Sequence, residues 1–90
     1  KRDFIEGYDT VASMRLDAVT ASIFKLSRGS AADAIGGGLA AVNGVAVTKP
    51  DLAVKAGDKI SLRGKGKAVV DAVEGLSKKG RIRFRFRKYQ

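Results

Sequence analysis

Four arginines at alternate positions, Arg81, Arg83, Arg85 and Arg87, are the residues of this 90-residue chain best suited to chemistry. A guanidinium stays charged at physiological pH and donates two parallel hydrogen bonds to a phosphate or carboxylate. Lys78 and Lys79 precede the run and Lys88 follows it, while Arg63, Lys65 and Lys67 alternate with glycines further back. Alternate strand residues stand roughly 6.5–7 Å apart on one face, close to the phosphate spacing along one strand of a stacked nucleic acid. The chemistry on offer is ionic: gripping a polyanion, not making bonds. The competing reading is an edge strand guarded by charge against self-pairing. One or two charges suffice for that, whereas here four stand in register. For Arg63–Lys67 a phosphate-gripping loop and a solvated hairpin turn remain equal alternatives. The spacing is not that of a P-loop, which ends in Lys-Ser or Lys-Thr.

The whole charge surplus sits with these residues. Lys and Arg number 18 against 9 Asp and Glu, a net +9 with an isoelectric point near 10.3. Residues 1–58 are balanced, whereas residues 59–90 hold only two acids, Asp71 and Glu74. A localised surplus of this size points to nucleic acid or an anionic membrane surface. The absence of Cys and His removes disulfides, thiolate and imidazole metal sites, and every Ser-His or Cys-His triad. No carboxylate pair has the spacing of a catalytic dyad, so neither catalysis nor a cofactor is expected. No apolar run approaches the ~20 residues that span a bilayer, and no signal peptide is visible. The basic segment alternates as a strand and does not form an amphipathic helix, which argues against a membrane partner. Because the chain starts at Lys1, it reads as a domain cut from a longer protein.

The elements that must position these side chains are legible in outline. Residues 1–7 read as a linker or disordered arm and residues 8–90 as a single domain. Tyr8–Ala12 suits a short strand. A helix fits Arg15–Lys25, with Ser13 as N-cap and Leu16, Val19, Ile23 and Leu26 on one face. Ser27 caps a second helix over Arg28–Ile35, where Ser30 and Asp33 also match a capping box. Gly36-Gly37-Gly38 stops it. Asn43-Gly44 joins Leu39–Val42 to Val45–Val47 as a hairpin, because both central residues of a type I′ turn need positive φ. Lys59–Arg63 and Ala68–Val73 are further strands. Gly64–Lys67 is a flexible basic loop, and Gly75–Gly80 is the turn into the Arg strand. Ile82, Phe84 and Phe86 face the core. Tyr89 is the aromatic residue best placed to stack on a base.

The order of elements and several residue sets resemble the S4 RNA-binding domain. The sets are Ser13-Met14-Arg15-Leu16-Asp17, Lys25-Leu26-Ser27-Arg28, Val42-Asn43-Gly44, Lys49-Pro50 and Ala56-Gly57-Asp58-Lys59-Ile60. Ser13 through Arg28 and Lys78-Lys79-Gly80-Arg81-Ile82-Arg83 are most similar to the C-terminal domain of YlmH-like (photosystem II S4-domain) proteins. The resemblance implies an α+β fold: a helix-loop-helix packed on a small, mostly antiparallel sheet with a C-terminal basic hairpin. It also implies phosphate contacts at Arg15, Ser27 and Arg28, flanked by Lys25 and Lys49. The second helix and the strand after it depart from the family pattern, with Ser30, Ala32, Gly36, Leu39 and Ala41 where basic or amide side chains are usual.

Together these readings give a non-catalytic module that binds structured RNA, ribosomal or transfer, through its backbone. The expected location is the bacterial cytoplasm, or the plastid stroma in a photosynthetic lineage. The ribosome and an N-terminal domain of the parent chain are further candidate partners. The alternative is an assembly domain using the uncharged surface of the second helix.

Overall fold

Phe84 is fully buried, and the strand that carries it runs between two others. A computed structural model of the chain describes residues 3–89. Along the chain stand β1 (Phe4–Val11), α1 (Leu16–Phe24), α2 (Arg28–Gly36), β2 (Ala40–Val42), β3 (Val45–Val47), β4 (Lys59–Leu62), β5 (Gly66–Leu76) and β6 (Ile82–Tyr89). The strands form one antiparallel sheet in the order β1-β6-β5-β4-β2-β3. The fold is α+β. One sheet face buries Phe84, Val70, Ala68, Ile60 and Leu62 against Leu16, Val19, Ile23 and Phe24 of α1 and Ile35 of α2. The other face carries no helix.

Both helices form close to where the residue pattern places them, but α1 starts differently. Its N-cap is Arg15, which makes no side-chain cap. The expected cap at Ser13 is not used, because a loop supplies acceptors to the first turn. The Leu16 amide donates to the Leu52 carbonyl and the Asp17 amide to the Pro50 carbonyl, each at 2.9 Å. At the other end Lys25 adopts a left-handed conformation, φ 61°. Ser27 caps α2, its Oγ accepting from the Ser30 amide at 3.0 Å, and the Ser30–Asp33 capping box is not formed.

The hairpin at Asn43-Gly44 has the two positive φ values its turn requires, 53° and 82°. Its asparagine also reaches Asp58. Asn43 Nδ2 donates to Asp58 Oδ1 at 3.0 Å, and Asn43 Oδ1 accepts from the Lys59 amide at 2.9 Å. Asp58 Oδ2 accepts from the Lys55 amide at 2.9 Å, and its carbonyl accepts from Val70 at 2.9 Å. One buried aspartate thus joins the β2–β3 turn, the 55–58 turn and β5.

Two segments differ from the expectation. Phe4–Gly7 is strand and not a linker, while Lys1 and Arg2 lie outside the described residues. The cause is β6, which continues to Tyr89 and pairs with β1 along its length, Phe4 opposite Tyr89 and Gly7 opposite Phe86. A Cβ at Gly7 would stand 2.7 Å from Phe86 Cζ, so the ring occupies the space a side chain would need. β5 is also longer than expected, starting at Gly66 and ending at Leu76, with irregularities between Val70 and Ala72 and between Val73 and Leu76. The flexible loop expected at 64–67 is a tight turn closed by Lys65 N–H donating to the Leu62 carbonyl at 2.9 Å.

Because Asp58 is a buried hydrogen-bond hub, Asp58→Ala should lower unfolding free energy by about 1.5–3 kcal/mol. Urea denaturation measures this. A loss below about 0.5 kcal/mol would show that the hub does not support the fold.

Candidate nucleic-acid interface

The basic residues divide between two sides of the sheet. On the helix side, Arg15 and Arg28 converge on Asp17, which is only 4 % exposed. Arg15 Nε donates to Asp17 Oδ1 at 3.1 Å and Arg15 Nη2 to Oδ2 at 3.0 Å. Arg28 Nη2 donates to the same Oδ2 at 3.3 Å, and the Ala18 amide to Oδ1 at 2.7 Å. Burial opposes the charge on Asp17, but the hydrogen bonds from Arg15, Arg28 and Ala18 outweigh it and hold the carboxyl below the ordinary aspartate range. One buried anion therefore fixes two partly exposed guanidinium groups at the starts of the two helices. Lys49 is exposed in the loop whose Pro50 carbonyl receives the Asp17 amide. Lys25 and Ser27 are exposed between the helices.

Arg81 stands at the sheet edge where the two sides meet. It precedes β6, so the strand's alternation does not bind it. Its Nε donates to Thr10 Oγ1 at 3.1 Å and its Nη2 to the Thr10 carbonyl at 2.9 Å. Arg28 and Arg81 line one groove of about 320 Å³, floored by Ala18 and Leu26. Lys78 and Lys79 are exposed in the adjoining turn, which Ser77 closes through its amide to the Arg81 carbonyl at 2.6 Å.

The other three arginines of the run occupy the helix-free face. In an antiparallel pair, directly opposed residues share a face. Arg83, Arg85 and Arg87 oppose Thr10, Tyr8 and Glu6 of β1, and Phe84 points the other way into the core. Arg85 Nε pairs with Glu74 at 2.7 Å, and Arg87 Nε with Asp71 at 2.9 Å. Arg87 also lies 5.2 Å from the Phe4 ring centre. The two acids of the C-terminal segment thus neutralise two of the row's guanidinium groups. Among the described residues Arg83 makes no ion pair. The expected rail of four free arginines is therefore three strand residues, two of them paired, with Arg81 at its end bonded to Thr10. Arg63 and Lys67 stand at the rim of a shallow groove of about 430 Å³ walled by Ala41, Ala46 and Ser61, and Lys65 is exposed at the turn.

Sequence reasoning overlooked Tyr8, the most exposed large hydrophobic side chain described. The pairing of β1 with β6 that sets it opposite Arg85 has no local signal in the residues. Tyr89, the expected stacking residue, is half-buried with Lys59 Nζ 5.9 Å from its ring centre. Among the described residues no cluster of acidic side chains has the makings of a metal site, and no helix is long and apolar enough to cross a membrane.

No protein-family model matches the chain. It is similar to the ribosome-associated protein quality control protein P2 of Bacillus subtilis (strain 168), at 41 % identity over 78 residues. That match covers 87 % of this chain and 30 % of the relative, so the chain spans less than a third of the relative's length.

Asp17 and Asp58 are both held below the ordinary carboxylate range. The unfolded chain therefore binds protons first as pH falls. The stability these groups contribute is complete above the unfolded value of about 3.9 and is lost as pH drops through their lowered folded values. Asp17→Asn removes one of these contributions. It should be less stable than the parent at pH 7 and lose stability less steeply between about pH 5 and 2. Thermal denaturation across that range checks this, and identical slopes would exclude Asp17 from the acid response.

Proposed function

We propose that this chain is a non-catalytic RNA-binding module of the S4 type that grips the phosphate backbone of structured RNA. The observation that carries this reading is the meeting of Arg28 and Arg81 on one groove. Arg15 is fixed beside Arg28 through Asp17, and Lys78 and Lys79 flank Arg81. The cations come from separate parts of the chain and converge at the edge between helices and hairpin. Phosphate binding there releases condensed counterions, which supplies affinity without reading sequence. Ser27 adds a hydroxyl at the start of α2, and Lys25 and Lys49 widen the field.

Ribosomal or transfer RNA is the target class this reading favours, with the ribosome as the larger partner. The name of the Bacillus subtilis relative, a ribosome-associated protein, supports it. The cytoplasm follows as the compartment, or the plastid stroma in a photosynthetic lineage. The outward positions of the second helix are Arg28, Gly29, Ser30, Asp33 and Gly36, two of them charged, which disfavours an assembly role through an uncharged surface.

The ion pairs on the open face shift the expected weight of binding to the hairpin turn. Replacing Lys78, Lys79 and Arg81 together with Ala should make the log–log salt dependence of RNA binding shallower by about 2 units, at about 0.7–0.9 per phosphate contact. Replacing Arg85 and Arg87 should cost less. Binding titrations from low to physiological salt test both. Salt-independent binding would rule out the mechanism, and the reverse order of losses would move the main contact to the open sheet. A dimer in sedimentation that ignores RNA would favour an assembly role instead.

A further inference from the structure

The open side of the sheet holds a groove that the helix–hairpin edge leaves unused. Its volume is about 470 Å³ and its lining includes Glu6, Tyr8, Asp71 and Arg85. Tyr8 is 74 % exposed, and β1 pairing with β6 sets it opposite Arg85. A strand held along its whole length presents this ring on a rigid support. Arg85 is braced by Glu74 at 2.7 Å, and Asp71 is engaged by Arg87. Glu6 has no ion pair among the described residues. Arg83 stands two residues along β6 from Arg85, roughly 6.5–7 Å away, and is likewise unpaired.

We propose that this groove binds an unpaired nucleotide, its base stacked on Tyr8, its edge donating N–H groups to Glu6, and its backbone held by Arg83. The proposal rests on RNA being the ligand of the chain, as argued above. The combination of groups selects this chemistry. An exposed aromatic face suits any flat base, and stacking on it tolerates sequence. A carboxylate accepts only from donors, which base edges supply when they are not already paired. An anionic ligand without such donors would be repelled by Glu6, while an arginine beside the shelf favours a phosphate on the same ligand. A duplex keeps its base faces stacked and its edges paired, so it cannot use Tyr8. The site therefore discriminates unpaired from paired RNA, which the counterion mechanism at the helix–hairpin edge does not.

The chain has two tyrosines and no tryptophan, so Tyr89→Phe leaves Tyr8 as the sole strong intrinsic fluorophore. This variant is titrated with an unpaired oligoribonucleotide of mixed sequence and, separately, with an RNA duplex. Tyr8 emission should respond to the single strand and not to the duplex. In the natural background, Tyr8→Ala should weaken single-strand binding about tenfold or more and leave duplex binding unchanged, whereas Tyr8→Phe keeps the affinity. Glu6→Gln should weaken single-strand binding, and circular dichroism confirms folding of each variant. Unchanged single-strand affinity in Tyr8→Ala, or an unresponsive Tyr8, overturns the proposal. So does self-association that Tyr8→Ala abolishes, which would make the face a protein surface. Loss of duplex binding in Lys78→Ala/Lys79→Ala/Arg81→Ala, with the Tyr8 response to the single strand intact, separates the two sites. If the parent chain shows no salt-dependent duplex binding, the reading of the helix–hairpin edge fails while the Tyr8 response still decides this one.

Discussion

Phe84 cannot leave the core, and β6 alternates strictly around it. These two facts constrain most of the rest. β6 is flanked by β1 and β5, with Phe84 under the helices and fully buried. Each residue in β6 then has a fixed face. Turning Arg83 or Arg85 toward the helices would require a one-residue slip in register, which would expose Phe84 and bury guanidinium groups. Stability and charge placement are therefore one constraint, and the open face must receive the arginines.

A dense row of like charges on one face repels itself, and the fold answers with acids from the neighbouring strand. The β5 irregularities fall where Asp71 and Glu74 lie, and those residues meet Arg87 and Arg85. A different device operates on the helix side. There a single buried carboxylate, Asp17, takes two arginines and leaves their outer edges available. On the open face each paired arginine has an acid of its own. On the helix side Arg15 and Arg28 share one acid, and Asp9 lines the groove with Arg28 and Arg81, so three cations stand there against two acids.

Much of this was legible in the residues, and the reasons differ by element. The Arg–Phe alternation, the Asn43-Gly44 turn and the Ser27 cap each rest on local stereochemistry, and each is found as expected. The start of α1 was not legible, because its first amides are satisfied by Pro50 and Leu52, more than 30 residues away in sequence. Phe4–Gly7 reads as an arm because an edge strand needs little hydrophobicity, and its partner lies at the other end of the chain. The ion pairs were hidden for a related reason. That Asp71 and Glu74 were the only acids in the segment was visible, but which arginine each meets depends on the β5 irregularities, which leave no signature in composition.

The division of charge follows from where alternation stops. Within β6, odd-numbered residues face away from the helices. The even-numbered Lys88 faces them and lies 5.5 Å from the Phe24 ring centre, spent on packing. A cation from the C-terminal segment that is to serve the helix side must therefore come from outside the regular strand. The turn before β6 is such a place, free of the period-two rule. Arg81 uses that freedom, folding across the end of β1 to Thr10 and into the groove with Arg28. The same four-arginine run thus supplies two surfaces. Three of its members are fixed on the open face by the strand, and the first, one residue before the strand begins, stands at the edge, bonded to Thr10 and lining the groove with Arg28.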